Sequence, residues 1–260
     1  MLIAIDVGNT NTVIGTFDGE DLKANWRIRT ERDMTVDELG MLFRNLFDSQ
    51  GLDFSRANEL IISCVVPPML DTIVHFSRKY VQAEPLIVGP GIKTGLSILI
   101  DNPKEVGADR VVNAVAAYNI FHRSLIVVDL GTSTNFDYVS PKGEYMGGVI
   151  APGLIISSEA LYQKASKLQR VEISKPKRII GKDTVSAMLS GLFYGHVGLI
   201  DGIVRRMKAE AGTDPLVIAS GGLAPLVASE SETITEVIPN LTLDGLRIIF
   251  DLNRTPRGRS

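Results

Sequence analysis

The chain has 260 residues, 45% of them hydrophobic, and a formal charge of −3. That length exceeds one average domain and suits two lobes of about 130 residues, each with a sizeable core. The acidic balance, with a pI near 5.7, provides no field for nucleic acid or an anionic membrane.

The first stretch, Ile3-Ala4-Ile5-Asp6-Val7-Gly8-Asn9-Thr10-Asn11-Thr12-Val13-Ile14, is an apolar strand ending on a carboxylate. A glycine turn, small polar side chains and a second apolar strand follow. Such a turn offers backbone N–H groups and hydroxyls to phosphate oxygens, and the aspartate offers a ligand to a phosphate-bound magnesium ion. An ordinary hairpin also uses Asn, Gly and Thr, so this stretch alone leaves both readings open.

Residues 23–30 alternate as a third strand. Residues 35–49 have helical spacing, with Leu39, Leu42, Phe43, Leu46 and Phe47 on one face and Thr35 as the cap. A buried strand is expected over 59–66, with Cys64 as an inert core thiol; a helix follows over 69–80 and a short strand over 86–88. One cysteine and three histidines give no zinc-ligand cluster. The segment 89–110 is irregular and glycine-punctuated, as functional loops often are. A helix then begins near Gly107 or Asp109.

Near mid-chain, Ile126-Val127-Val128-Asp129-Leu130-Gly131-Thr132-Ser133-Thr134-Asn135 repeats the opening design. Each copy runs on to a second turn, at Asp18-Gly19-Glu20 and at Lys142-Gly143-Glu144. This repetition predicts a duplicated α/β fold with a nucleotide between the halves. After Gly147-Gly148 and Pro152-Gly153, a helix is expected over 154–167. Asp183 or Thr184 opens a long helix carrying Gly191, Gly195, Gly198 and Gly202, and close approach by another helix or a ligand would explain those glycines. A strand over 216–219 ends at Ser220-Gly221-Gly222, and 246–250 reads as either strand or helix. The basic segment 254–259 is expected to be a frayed end. The N-terminus enters a strand without a targeting signature, and no apolar run is expected to reach membrane-spanning length. The expectation is a soluble, cytoplasmic protein.

With these residues laid out, the chain resembles the type III pantothenate kinases of the acetate and sugar kinase/Hsp70/actin superfamily. Asp6 to Val13 matches the first phosphate motif, Gly107-Ala108-Asp109-Arg110 the Gly-x-Asp-Arg motif, and Asp129 to Thr134 the second phosphate motif. Gly147-Gly148 with Pro152-Gly153, Thr184 and Ser220-Gly221-Gly222 also fall in family order. Asn135 departs from the threonine more usual there.

The resemblance implies two duplicated ribonuclease H-like (actin-like ATPase) lobes with mixed sheets, over 1–118 and 119–260, and a nucleotide cleft between them. It implies ATP-dependent phosphorylation of pantothenate to 4'-phosphopantothenate, the first step of coenzyme A biosynthesis, by a homodimer. Asp109 becomes the general base, where its residue type also suits a helix N-cap; a low pKa is expected for it at a helix N-terminus. Gly107, Ala108, Asp109, Arg110 and Thr184 become substrate contacts, with a helix cap as the alternative for Asp183 or Thr184. Asp6 positions Mg²⁺, and Asp6, Val7, Gly8, Asn9, Thr10, Asn11, Thr12, Val13 and Thr132 surround the ATP phosphates. Asp129 matches the ligand of a monovalent cation, K⁺ or NH₄⁺. Gly221 and Gly222 either admit the adenine or form a plain turn. Two other functions remain: a nucleotide-binding transcription accessory regulator with this fold, or a kinase for another small alcohol. The length leaves no room for the peptide-binding domain of an Hsp70-like chaperone.

Overall fold

A computed structural model describes residues 1–164 and 171–254. In chain order its elements begin β1 (Leu2–Val7), β2 (Asn11–Asp18), β3 (Asp21–Arg29), α1 (Val36–Ser49), β4 (Glu59–Cys64), α2 (Pro67–Phe76), β5 (Leu86–Ile87), β6 (Ser97–Ile98) and α3 (Ala108–Phe121). They continue with β7 (Leu125–Leu130), β8 (Ser133–Val139), β9 (Glu144–Pro152), α4 (Leu154–Lys164), α5 (Thr184–Ala211), β10 (Leu216–Ser220), α6 (Ala224–Ala228), β11 (Glu236–Val237) and α7 (Leu241–Asn253).

Two compact units result. One contains Met1–Leu96, Asp101–Ala116 and α7; the other contains Ser97–Ile100 and Ala117–Asn240. Relative to halves at 1–118 and 119–260, this division returns the last helix to the first unit. The stretch 246–250 is helical, and its apolar side explains the placement. Leu243, Leu246 and Ile249 pack with Leu2, Ala4 and Ile61 of β1 and β4.

In the first unit the strand order is β3-β2-β1-β4-β5. β1 runs antiparallel to β2 and parallel to β4, and helices pack on both its faces. Ile3, Ile5 and Val7 pack with Phe43 and Phe47 of α1 and Ile73 and Phe76 of α2. On the opposite face, Ala4 packs with Val112 and Val115 of α3 as well as with α7. Helix α1 starts with a capping box, in which Thr35 accepts from Glu38 N and Glu38 returns a bond to the Thr35 backbone. Helix α2 has proline in its first turn, where the missing N–H costs nothing. Cys64 is half-buried rather than buried, and its thiol donates to Val66 O at 3.2 Å.

The second unit repeats the pattern. Its order is β11-β10-β7-β8-β9-β6, so β9-β8-β7-β10-β11 matches β3-β2-β1-β4-β5 position for position, with β6 added at the edge. β7 is antiparallel to β8 and parallel to β10, as β1 is to β2 and β4. Phe193, Val197, Ile200 and Val204 of α5 pack on Ile126, Val128 and Leu130.

At 28 residues, α5 is long and apolar enough to cross a membrane by length and composition, contrary to the expectation that no segment would be. Its middle and later apolar residues, Phe193, Val197, Ile200 and Val204, belong to the second core. Asp183 caps it through Ser186 N, and Gly212 ends it at φ 62°. Among the described residues, nothing would meet a Cβ at Gly191, Gly195 or Gly198. The α4 expectation extended to 167; residues 165–167 lie outside the described residues, as do residues 255–259 of the basic tail. The pairs β6 and β11, two residues each, and the five-residue α6 were too short for periodicity to reveal.

Candidate active site

The first turn places Asp6 at the end of β1 and returns the chain on β2, with Asp6 opposite Val13 and Val7 opposite Thr12. Gly8 N donates to Asn11 O at 3.0 Å and closes the turn. A Cβ at residue 8 would lie 3.0 Å from that oxygen, so glycine permits the closure. Asn9, Thr10 and Asn11 are exposed at the tip.

Asp6 is half-buried beside Ser63, its neighbour in the parallel ladder. Burial and then the charge of Asp109 push its carboxyl up to about 7, while Ser63 and Arg27 act in the opposite direction. Arg27 lies in the same transverse row of the sheet, since Asp6 pairs with Val13 and Val13 with Arg27. The charge of Asp109 thus reaches a largely desolvated Asp6 next to an exposed turn. Such a pair fits a divalent cation that takes its remaining ligands from phosphates and water. Among the described residues, no group of three or more His, Cys, Asp or Glu gathers to hold a metal without such help.

Asp109 lies in the first turn of α3. Its Oδ1 accepts the backbone N–H of Arg110 at 2.9 Å. A Cβ at Gly107 would sit 2.5 Å from that same oxygen, so Gly107 admits the folded-back carboxylate. The pKa of Asp109 is raised, contrary to the low value expected at a helix start. Burial outweighs the Arg110 N–H and guanidinium, which both lower it. The shift moves the group toward the range useful to a general base.

In the second unit Asp129 ends β7 opposite Asn135, with Leu130 opposite Thr134, so this turn is one residue shorter than the first. Gly131 N donates to Ser133 O at 3.0 Å. Asp129 stands beside Ser220 in the parallel ladder, as Asp6 stands beside Ser63. Ser133 Oγ donates to Asn135 Oδ1 at 3.0 Å, so the unusual asparagine takes part in the turn's own bonding. Thr132 is exposed at the tip. A Cβ at Gly153 would collide with Thr132 O, and one at Gly221 would lie 2.5 Å from Leu130 O. Gly221, at φ 99°, therefore already has a reason to be glycine in the packing of its own unit. Asp183 is the helix cap, and Thr184 is exposed at the first helical position.

Asp6 and Asp109 thus come together, with Gly107 and Arg110 adjacent. Ser63 and Arg27 also belong to this group and were not singled out from the sequence. The available signal is a serine at or next to the end of a buried strand in both halves, Ser63 and Ser220.

A repeated strand–turn–strand unit, each with an aspartate near the end of its first strand, on a repeated β3-β2-β1-β4-β5 sheet is the pattern of an actin-like ATPase fold. Comparison with known proteins narrows the class. The profile of the type III pantothenate kinase family matches residues 2–206. A type III pantothenate kinase of Syntrophus aciditrophicus (strain SB) is 60% identical over 253 residues, covering 97% of this chain and 100% of the relative. Among solved structures, a protein from Campylobacter jejuni described as a Baf family transcriptional activator superposes with a TM-score of 0.60 at 15% identity, covering 96% of this chain and 98% of that one. The inorganic polyphosphate/ATP-glucomannokinase of Arthrobacter sp. strain KM gives 0.51 at 14% identity, covering 97% and 99%. These two likenesses establish the fold alone. The chain belongs to the type III pantothenate kinase family.

Proposed function

We propose that this protein transfers the γ-phosphoryl group of ATP to the primary alcohol of pantothenate, giving 4'-phosphopantothenate for coenzyme A biosynthesis. The observation that carries this reading is the pair Asp6 and Asp109 beside an exposed glycine turn, in a chain of this family. Asp109 orients the attacking hydroxyl and takes its proton at a carboxylate oxygen. Its raised pKa favours that acceptance, and the Arg110 N–H holds its other valence in place. Gly107, Ala108, Asp109, Arg110 and Thr184 contact pantothenate. Backbone groups of residues 6–13 and the Thr132 hydroxyl bind the ATP phosphates, and Gly221 and Gly222 adjoin the adenine.

Asp6 holds Mg²⁺, which when bound neutralises phosphate charge and relieves the repulsion between the two carboxylates. Asp129, with the backbone carbonyls of its turn, offers the hard oxygen donors that suit K⁺ or NH₄⁺. Replacing K⁺ by Na⁺ should sharply reduce turnover, and indifference to that exchange would remove this role from Asp129.

The protein acts as a cytoplasmic homodimer, with no nucleic acid or membrane partner. Exposed Met146 and Ile150 on β9, and Ile155, Ile156, Leu161 and Tyr162 on α4, support association through the second unit. The open space beside Gly191, Gly195 and Gly198 would admit a close helix from a second copy. Light scattering tests this: a mass of one chain, with full kinase activity, would exclude an obligatory dimer. The reaction itself is tested by product analysis of purified protein with ATP, Mg²⁺, K⁺ and pantothenate.

A further inference from the structure

The first turn is fastened from the side by a residue with no role in the account so far. Thr30 follows the last residue of β3. Its N–H donates to Thr10 O at 3.0 Å. Its Oγ1 donates to Gly8 O at 2.7 Å and lies 2.9 Å from Thr12 Oγ1. One residue thereby grips the turn at three points, and the Thr12 partner is itself buried.

Peptide geometry gives these bonds a direction. In a trans peptide the carbonyl and the following N–H point to opposite sides. With Gly8 O drawn toward Thr30, the N–H of Asn9 is aimed away from β3. With Thr10 O drawn the same way, the N–H of Asn11 is aimed away as well. Asn9 and Asn11 are both exposed residues of the turn, and their N–H groups are turned from β3 toward the Gly8 side of it. Backbone N–H groups turned to one side of a tight turn in this manner offer a site to an anion.

The second turn is backed differently. Asn11 pairs with Arg29 and Ser133 pairs with Pro152, so Thr30 and Gly153 are the equivalent next residues. Gly153 carries no side chain, and a Cβ there would strike the carbonyls of Gly131 and Thr132. The second turn is supported by close backbone contact, whereas the first is held by a hydroxyl.

We propose that Thr30 is a positioning residue for the phosphoryl donor, a latch that orients the Asn9 and Asn11 N–H groups toward the ATP polyphosphate. This rests on the reading of residues 6–13 as the ATP-binding turn.

Thr30→Val keeps the shape and strand preference of threonine, and keeps the N–H bond to Thr10, while removing the hydroxyl. The expected result is a rise of about five- to tenfold in the KM for ATP, the loss of roughly one hydrogen bond's worth of positioning. The KM for pantothenate should stay near wild type, the melting temperature should fall only modestly for the unpaired Thr12 hydroxyl, and Thr30→Ser should restore both ATP binding and melting temperature. Calorimetric titration with ATP and Mg²⁺, pantothenate absent, should show the same ratio of Kd values. An unchanged ATP constant in Thr30→Val, or a Thr30→Ser variant as impaired as the valine, would overturn the latch. Equal loss for both substrates with a lowered melting temperature would also overturn it, by reducing Thr30 to a stability role. If Thr30→Val does not fold, Thr30→Ala carries the same comparison. Wild-type protein that binds ATP without phosphorylating pantothenate would refute the kinase reading and leave the latch to the Kd ratio; absence of ATP binding would refute both.

Discussion

The charge of Asp109 raises the proton affinity of Asp6, adding to a burial effect that together bring Asp6 to about 7. The two side chains come from distant elements, the end of β1 and the first turn of α3. Holding two carboxylates together disfavours their joint ionisation, and proteins keep such pairs where a cation or a proton transfer uses them.

Asp109→Asn tests the base. Asparagine retains an oxygen that can accept the Arg110 N–H, so the local helix start should survive. It cannot take a proton at neutral pH, and kcat should fall by about 10²-fold or more. Circular dichroism should be unchanged. Near-normal turnover in this variant would remove Asp109 from the chemistry.

The elevated Asp6 also makes a stability prediction for the protein free of nucleotide and divalent cation. Its folded pKa, about 7, lies above the ordinary 3.8, so between those values the folded state binds more protons than the unfolded. Stability from this group is present at low pH and is lost as pH rises through 7. Asp6→Asn removes the titration. Its melting temperature, relative to wild type, should therefore rise more at pH 8 than at pH 5. A difference independent of pH would contradict the raised pKa.

Gly153→Ala should disturb the second turn without touching the first. The added methyl would meet Thr132 O, so the turn or β9 must shift, at a cost of about 1–3 kcal/mol. A lowered melting temperature with weakened ATP binding is expected. Wild-type values for both would show that the turn can yield freely.

Asp201, on α5, ties the loop before β11 to the helix. Burial acts to raise its pKa, but the Ser231 and Thr233 hydroxyls and the Glu232 and Thr233 N–H groups outweigh that and hold it below the ordinary range. Its Oδ1 accepts from Ser231 Oγ at 2.6 Å and Thr233 Oγ1 at 2.7 Å. The stabilisation is present above the unfolded pKa near 3.8 and is lost as pH falls through the lower folded value. Asp201→Ala leaves several half-buried donors without their acceptor and should cost about 1–2 kcal/mol at neutral pH, read by thermal melting.

Much of this architecture is legible in the sequence because it is written twice. Asp6 with Gly8 and Asp129 with Gly131 each end a strand that is apolar on both faces, and that pattern needs no tertiary knowledge. The partnership of Asp6 with Ser63, and of Asp129 with Ser220, is a matter of parallel register across a crossover, which local periodicity does not encode. The last helix was ambiguous for a similar reason. Its short apolar run, Ile248-Ile249-Phe250, suits either a strand or a helix, and packing against β1 and β4 decides it. Helix position, which is local, points to a low Asp109 pKa, whereas the burial that overrides it comes from the fold. Thr30 escaped notice because threonine at a strand end is ordinary until its three partners are seen.

The most direct test of the account is incubation of the purified protein with ATP, Mg²⁺, K⁺ and pantothenate, with the product read by mass spectrometry beside Asp109→Asn. The account predicts 4'-phosphopantothenate from the wild-type protein and little or none from the variant. ATP binding without that product in the wild type, or equal product from both proteins, would contradict it.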